Sequence, residues 1–327
     1  MPSTANLSII IPFYQKEAGI LSRAIRSVLS QTSTIAKKII VIDDESPISA
    51  ESELAECIAE NPSLFLVIRQ PNKGPAGARN KGLDHVPEGT DFVAFLDSDD
   101  EWSQGHLDSA ITSLNFGYDF YFADHYQLNQ TVSGFNRAKR INPDDCPLLP
   151  GQTHLHIYPG DMFSQVLSGN IIGTSTVVYR WDTLKNIRFR EEFINAGEDY
   201  LFWMDIAKAT SKFVFSSVCD CTYGKGVNVF SGSVWGTDSY FDRLCYEIGY
   251  KKKIISLYPL TESQSSLLKK QILDLRTSLA AYILNRIVNK ALTLSKIRLL
   301  LSWDVQTLLQ FPYLIMRVMV KKYFIKP

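Results

Sequence analysis

A chain of 327 residues exceeds one average domain and can bury a large core. At 45% hydrophobic and 12% aromatic it reads as globular, which excludes a disordered, collagenous or low-complexity protein. The formal charge is zero, yet residues 251–327 carry 14 Lys/Arg against 3 Asp/Glu, while the preceding 250 residues carry 20 against 31. An acidic body with a basic tail directs the tail toward anionic lipid or nucleic acid. Cysteines 57, 146, 219, 221 and 245 are odd in number and lack zinc spacing, which predicts a reducing compartment. The N-terminus, polar up to Asn6, has no signal-peptide layout. The expected location is the cytoplasm.

Residues 7–13 predict a first strand, apolar on both faces as a parallel sheet requires, with Pro12 expected to end its pairing. Residues 19–31 place Leu21, Ile25, Val28 and Leu29 on one helical face. Residues 38–42 predict a second strand running into Asp43-Asp44-Glu45-Ser46, a turn-and-cap sequence on the plainest reading, and residues 64–68 predict a third. The stretch Asn72–Asn80 follows as a loop leading into a helix. Its glycine spacing fits neither a Walker loop nor a dinucleotide fingerprint. Glycine nevertheless permits close backbone approach, and Arg79 offers a planar fork to a nucleotide or phosphate.

Residues 91–96 predict a buried strand, ended abruptly by Asp97, Ser98, Asp99, Asp100 and Glu101, four carboxylates in five residues. Ligands of open α/β sheets bind at the carboxyl ends of strands. Crowded carboxylates there call for a cation, and hard oxygens on a short loop suit Mn2+ or Mg2+. The plain alternative is a solvated acidic turn capping the next helix. Strand–helix alternation over the first hundred residues predicts a Rossmann-like, three-layer α/β sheet.

Residues 118–124 continue the sheet, and prolines and glycines loosen the pattern from 126 to 170, which predicts a binding loop or lid. His154-x-His156 in that span fits the exposed face of a strand better than a metal site. Asn170–Arg180 reads as a loop into a strand. Gly197-Glu198-Asp199 opens a helix over 200–209, where the helix dipole is expected to keep Asp199 ionised. Residues 213–218 predict a strand, and Cys219-x-Cys221 fits a structural accident of an edge strand better than thiol chemistry. The Gly-rich stretch 223–236 reads as a closing lid, with Lys225, Asn228 or Ser231 turned toward a phosphate. Leu268, Ile272, Leu275, Leu279, Ile283 and Ile287 then repeat at helical spacing. Residues 297–324 are too interrupted by Asp304, Gln306, Gln310, Arg317 and Pro312 to span a bilayer. They predict two short amphipathic helices lying in the interface, with Lys321, Lys322 and Lys326 toward anionic head groups. Packing on the rest of the chain, or a homodimer contact, is the alternative.

Five stretches occur together in this order: Ser8–Tyr14, Val41–Ser46, Asn72–Gly82, Phe95–Asp100 and Gly197–Trp203. The set resembles family 2 glycosyltransferases of the GT-A fold, and is similar to bacterial exopolysaccharide (succinoglycan-type) glycosyltransferases, over roughly residues 7–210. The resemblance implies that Pro12, Phe13, Tyr14 and Asp44 hold the uracil of a UDP-sugar, that Arg79 meets the nucleotide or its phosphates, and that Asp97 meets the ribose or the metal. It implies Asp99, within an Asp-x-Asp pattern, as the ligand of Mn2+ or Mg2+, with Asp100 behind it. Asp199 matches the family's base, and Glu198, Trp203 and Lys225 fall to the acceptor side or the lid. The family more often has Gly where Glu45 stands.

The chain lacks the Gln-x-x-Arg-Trp signature of processive synthases. The expectation is an inverting, metal-dependent, non-processive transferase moving one sugar, with UDP-glucose favoured, to a hydroxyl of a growing, lipid-linked polysaccharide. No nucleic-acid partner is implied, and the basic tail is expected on the inner face of the plasma membrane. The expected boundaries are 1–125 for the nucleotide-sugar half, 126–236 for the acceptor half of the same domain, and 237–327 for a basic helical extension. A catalytically silent nucleotide-sugar-binding scaffold of the same fold is the alternative. A nucleotidyltransferase lacks its N-terminal glycine loop, and a dehydrogenase lacks its fingerprint.

Overall fold

Three β-branched residues in a row make the middle of β1 (Asn6–Phe13), and Ile9, Ile10 and Ile11 are fully buried there. This computed structural model describes residues 6–193, 196–226, 233–289 and 292–324. Contacts divide the chain into two units, Met1–Ile194 with Asp199–Val227 and Asn195–Glu198 with Asn228–Pro327.

In the first unit β1 pairs in parallel with β2 (Ala36–Asp43) on one side and β4 (Phe92–Phe95) on the other, and β2 pairs with β3 (Phe65–Arg69). The sheet continues through β5 (Glu101–Trp102), β6 (Phe120–Tyr126), β7 (Leu155–Ile157), β8 (Val178–Arg180) and β9 (Phe213–Thr222) in the order β3-β2-β1-β4-β8-β6-β9-β5, with β7 on β9. The strand β8 runs antiparallel to both neighbours. The alternate residues Leu7, Ile9, Ile11 and Phe13 of β1 pack with Leu21, Ala24, Ile25 and Val28 of the helix Ile20–Leu29. On the opposite face a Cβ at Gly82 would overlap Ile10, so the helix Gly74–Leu83 lies closely on β1. Helices on both faces complete the three layers.

Pro12 does not end β1's pairing, since it stands opposite Ile42 in register with β2. Leu96 donates to the Ile10 carbonyl on the β4 side, whereas Asp44 donates to Phe13 on the β2 side. Pro12 shares Ile10's side, where register with β4 has stopped at Ile10–Phe95, so its missing N–H removes no ladder bond.

The second unit is helical: Asp238–Leu257, Glu262–Val288, Leu294–Leu309 and Phe311–Phe324. Thr261 and Gln264 close a capping box at the start of the longest. Pro312 falls in the first turn of the last helix, where its missing N–H costs nothing. Asp304 is not one of the solvent-facing interruptions that the sequence pattern predicts. It has no exposed surface and leaves helical geometry (φ −155°, ψ 77°), held by Arg276 at 2.6 and 2.7 Å, Lys252 at 3.1 Å and Thr307 at 2.8 Å. Burial alone would raise its pKa, but these donors outweigh it and hold the carboxyl below its usual range. Among the described residues no helix is long and apolar enough to cross a membrane.

Candidate active site

The carboxyl ends of β1, β2 and β4 lie side by side, so the turns that follow them meet on one edge. After β2, two adjacent acids do different work. Asp43 accepts from Ser46 N–H at 2.8 Å and Ala50 N–H at 3.0 Å, closing the turn. Asp44, 3% exposed, accepts from Gln70 Nε2 at 2.7 Å, Lys73 N–H at 2.9 Å and Gly74 N–H at 2.8 Å. One carboxylate thereby shapes the whole loop that leads into the Gly74–Leu83 helix, and of its roughly four acceptor sites one stays open. Glu45 between this acid and the turn has φ 59°, the left-handed conformation that glycine adopts without strain. That is a physical reason for the glycine usual at this place.

After β4, the buried hydroxyl of Ser175 ties the acidic loop together. It accepts from Asp97 N–H at 3.0 Å and donates to Asp100 Oδ2 at 2.5 Å. Gly224 N–H donates to the other Asp100 oxygen at 2.9 Å. A Cβ at Gly224 would overlap the Asp99 carbonyl oxygen, and one at Gly226 its carboxylate, so Gly224–Gly226 lies directly on Asp99. Burial first, then the neighbouring Asp97, pushes the Asp99 carboxyl up to about 6, and Asp100 is driven well up by burial, then by Asp97 and Asp99. Such mutual repulsion marks a place where a cation would be stabilising. Among the described residues no three His, Cys, Asp or Glu side chains form an all-protein metal cage. The donor set fits a hard divalent ion held by one or two carboxylates and completed by substrate phosphates.

Arg79, 4% exposed, bonds Asp97 Oδ1 at 2.6 Å and lies over the Phe189 ring at 5.3 Å. It thus enters the site as the counter-charge of Asp97. Asp199, partly exposed in the first turn of the helix Glu198–Ala209, feels both Arg79 and Asp97 and accepts from Tyr200 N–H at 2.8 Å. Desolvation outweighs the Tyr200 bond and the nearby Arg79, so its pKa is raised rather than lowered by its place at the helix start.

Other expectations change as well. Phe13 and Trp203 are fully buried, Trp203 edge-on to Phe120 at 5.5 Å, so neither side chain faces a base or an acceptor; both support the site from the core. Pro12 and Tyr14 remain partly exposed at the β1 end, and Lys225 is exposed on the loop against Asp99. Asn228 and Ser231 lie outside the described residues. His156 is no exposed strand residue: it stacks on Phe215 at 5.1 Å and meets Cys146 O and Ser217 Oγ, each at 3.2 Å. The strand β9 carrying Cys219 and Cys221 is flanked by β6, β5 and β7 rather than lying at an edge. Sequence reasoning missed Ser175, Gln70, and Gln15, which reaches Ser98 Oγ at 3.0 Å. Single polar residues placed by distant segments leave no periodic signal.

A parallel sheet with an acidic loop after its fourth strand and a carboxylate at a helix start on the same edge is the architecture of a GT-A glycosyltransferase. The family model described as glycosyl transferase family 2 matches residues 8–178. The chain belongs to that family. It is 37% identical to the succinoglycan biosynthesis protein ExoW of Rhizobium meliloti over 69% of this chain and 71% of the relative. It is 29% identical to the UDP-Glc:alpha-D-GlcNAc-diphosphoundecaprenol beta-1,3-glucosyltransferase WfgD of Escherichia coli, over 62% of this chain and 70% of that one. Among solved structures it is similar to the mannosyltransferase PcManGT of Pyrobaculum calidifontis in complex with GDP-Man and Mn2+, with TM-score 0.57 at 15% identity, covering 98% of this chain and 88% of that one. S. aureus TarS with UDP-GlcNAc gives TM-score 0.54 at 19% identity, covering 94% and 81%.

Proposed function

We propose that this glycosyltransferase moves one hexose, glucose in the first instance, from a UDP-sugar to a hydroxyl of a lipid-linked saccharide in bacterial polysaccharide assembly, with inversion and without processive elongation. The observation that carries it is the meeting of the Asp44-held loop, Asp99 and Asp199 on one sheet edge, linked through the Arg79–Asp97 pair. Asp44, with Pro12 and Tyr14, forms the uridine end: its open acceptor site suits the uracil N–H. Asp99, backed by Asp100, would hold Mn2+ or Mg2+, which when bound neutralises charge on the departing diphosphate. Asp199 in its ionised form takes the proton of the acceptor hydroxyl as that oxygen bonds to the anomeric carbon. The bond from that carbon to UDP breaks on the opposite face, so a single displacement inverts the centre.

The lipid-linked acceptor is supported by the glucosyltransferase relative whose name specifies a diphosphoundecaprenol acceptor. A peripheral seat on the inner membrane face is supported by the basic tail and by exposed apolar side chains on its last two helices: Leu301, Val305, Leu309, Tyr313 and Met316. Thermal-shift measurements with UDP, UDP-glucose and UDP-galactose, each with and without Mn2+, test the donor reading. Binding to the native state raises the midpoint, by roughly 2.7 kcal/mol of stabilisation at a hundredfold excess over Kd. No shift with any uridine nucleotide in Mn2+ would refute it.

A further inference from the structure

Register between β6 and β9 slips twice, between Ala123 and Asp124 and again between Asp124 and His125. Bulges of this kind re-aim a side chain beside an active site. Asp124 fixes the bulge by accepting from His125 N–H at 2.8 Å and Phe135 N–H at 2.9 Å. The His125 ring, 9% exposed, stacks on Tyr223 with centroids 4.4 Å apart and planes 19° from parallel. Its Nδ1 is enclosed without a hydrogen-bond partner. Two glycines make room for the pair: a Cβ at Gly134 would stand 2.6 Å from the His125 ring, and one at Gly173 would overlap the Tyr223 hydroxyl. No core requirement explains two glycines, a bulge and an orphaned imidazole nitrogen around one polar stack.

Tyr223 is also tied to the acidic loop, because the next residue's N–H is the Gly224 donor to Asp100. Burial first and then Asp100 drive its phenol pKa well up, with Cys221, Asp97 and Asp199 adding to the effect. The Tyr223 side chain is thus within electrostatic reach of Asp100, Asp97 and Asp199, beside the loop proposed to hold the metal and the donor diphosphate. Burial lowers the pKa of His125 against the pull of Asp124, which favours a neutral imidazole able to exchange hydrogen bonds with hydroxyls.

We propose that the stacked His125–Tyr223 pair is the wall that recognises the transferred hexose of the donor, with the Tyr223 hydroxyl reading one ring hydroxyl. This rests on the donor reading above. The test is titration calorimetry with UDP, UDP-glucose and UDP-galactose in Mn2+, on the full chain and on the Tyr223→Phe and His125→Ala variants, whose folding is checked by thermal melts. Tyr223→Phe is expected to weaken the preferred UDP-hexose about tenfold and to move the ratio between the two epimers toward one, while UDP affinity stays within about twofold. Merely loosening the fold would weaken UDP alike and leave the epimer ratio unchanged, and that outcome overturns the proposal. In a turnover assay, a raised acceptor KM in Tyr223→Phe with unchanged UDP-hexose affinity overturns it too. If the unaltered protein binds no UDP-hexose, the donor reading falls and this one with it. If it binds and Tyr223→Phe matches it, only the inference about the stack falls.

Discussion

Removing a single oxygen, in Ser175→Ala, tests whether the acidic loop is preorganised by a residue that carries no charge. Ser175 has no exposed surface, and its Oγ holds both Asp97 N–H at 3.0 Å and Asp100 Oδ2 at 2.5 Å. Losing the partner of the Asp97 N–H costs about 1–3 kcal/mol, and losing a bond to a charged or charge-bearing carboxyl about 1.5–3 kcal/mol. Non-additivity between adjacent groups trims the sum, so a loss of roughly 2–5 kcal/mol is expected. The second consequence is electrostatic: the Ser175 bond is one of two that oppose the rise of the Asp100 pKa, so the variant's Asp100 should move still further up. Urea unfolding followed by circular dichroism should show a lower midpoint at constant slope. Mn2+-dependent UDP binding by calorimetry should weaken at least about tenfold, a change of about 1.4 kcal/mol. An unchanged midpoint together with unchanged UDP affinity would show that the loop is held by other means.

Three further outcomes follow from the same geometry. Asp199→Asn should retain UDP-sugar binding while turnover with acceptor falls roughly 10²–10⁴-fold, and near-normal turnover would exclude Asp199 as the base. The Asp99 pKa is raised to about 6, so its contribution to stability is present at low pH and lost as pH rises through about 6. The metal-free protein should gain stability on acidification through that range, while Mn2+-dependent UDP binding weakens; a pH series in which Asp99→Asn behaves like the unaltered protein sinks the assignment. For the tail, Leu309→Glu with Met316→Glu should abolish salt-sensitive co-sedimentation with anionic liposomes, both side chains being more than half exposed (75% and 57%). Substitution is preferable to truncation, which would strip Arg276 of Asp304; equal sedimentation of variant and parent would assign the face to protein contacts.

Much of this was legible because the parallel strands announce themselves. Runs such as Ile9–Ile11, Ile39–Ile42 and Phe92–Leu96 are apolar on both faces, and the last two end in acid, so the strands and two of their chemical ends show in the residues. Asp44, Asp97 and Asp99 could be singled out for the same reason, and Asp199 by its place at a helix opening. What could not be read was direction and depth. Phe13 belongs to the apolar alternation of β1 and so points into the core, while Trp203 sits on the buried stripe of its helix; neither fact is visible in a motif match. The raised pKa of Asp199 depends on what surrounds it in three dimensions, whereas a helix-end rule knows only its place in the chain. Asp304 reads in the sequence as a polar break in an apolar run, because its partner Arg276 stands 28 residues earlier.

The position of β8 between β4 and β6 has a consequence for how the polypeptide is made. The strand β4 ends at Phe95, and its second neighbour is completed only at Arg180, so about 85 residues must be synthesised before that flank can be covered. At roughly 5–20 residues per second, the free edge of a four-residue apolar strand waits about 4–17 s on the ribosome. Unpaired apolar edges are where nascent chains associate wrongly. The carboxylates that follow β4 put negative charge beside that waiting edge, and like charge opposes edge-to-edge pairing of two copies.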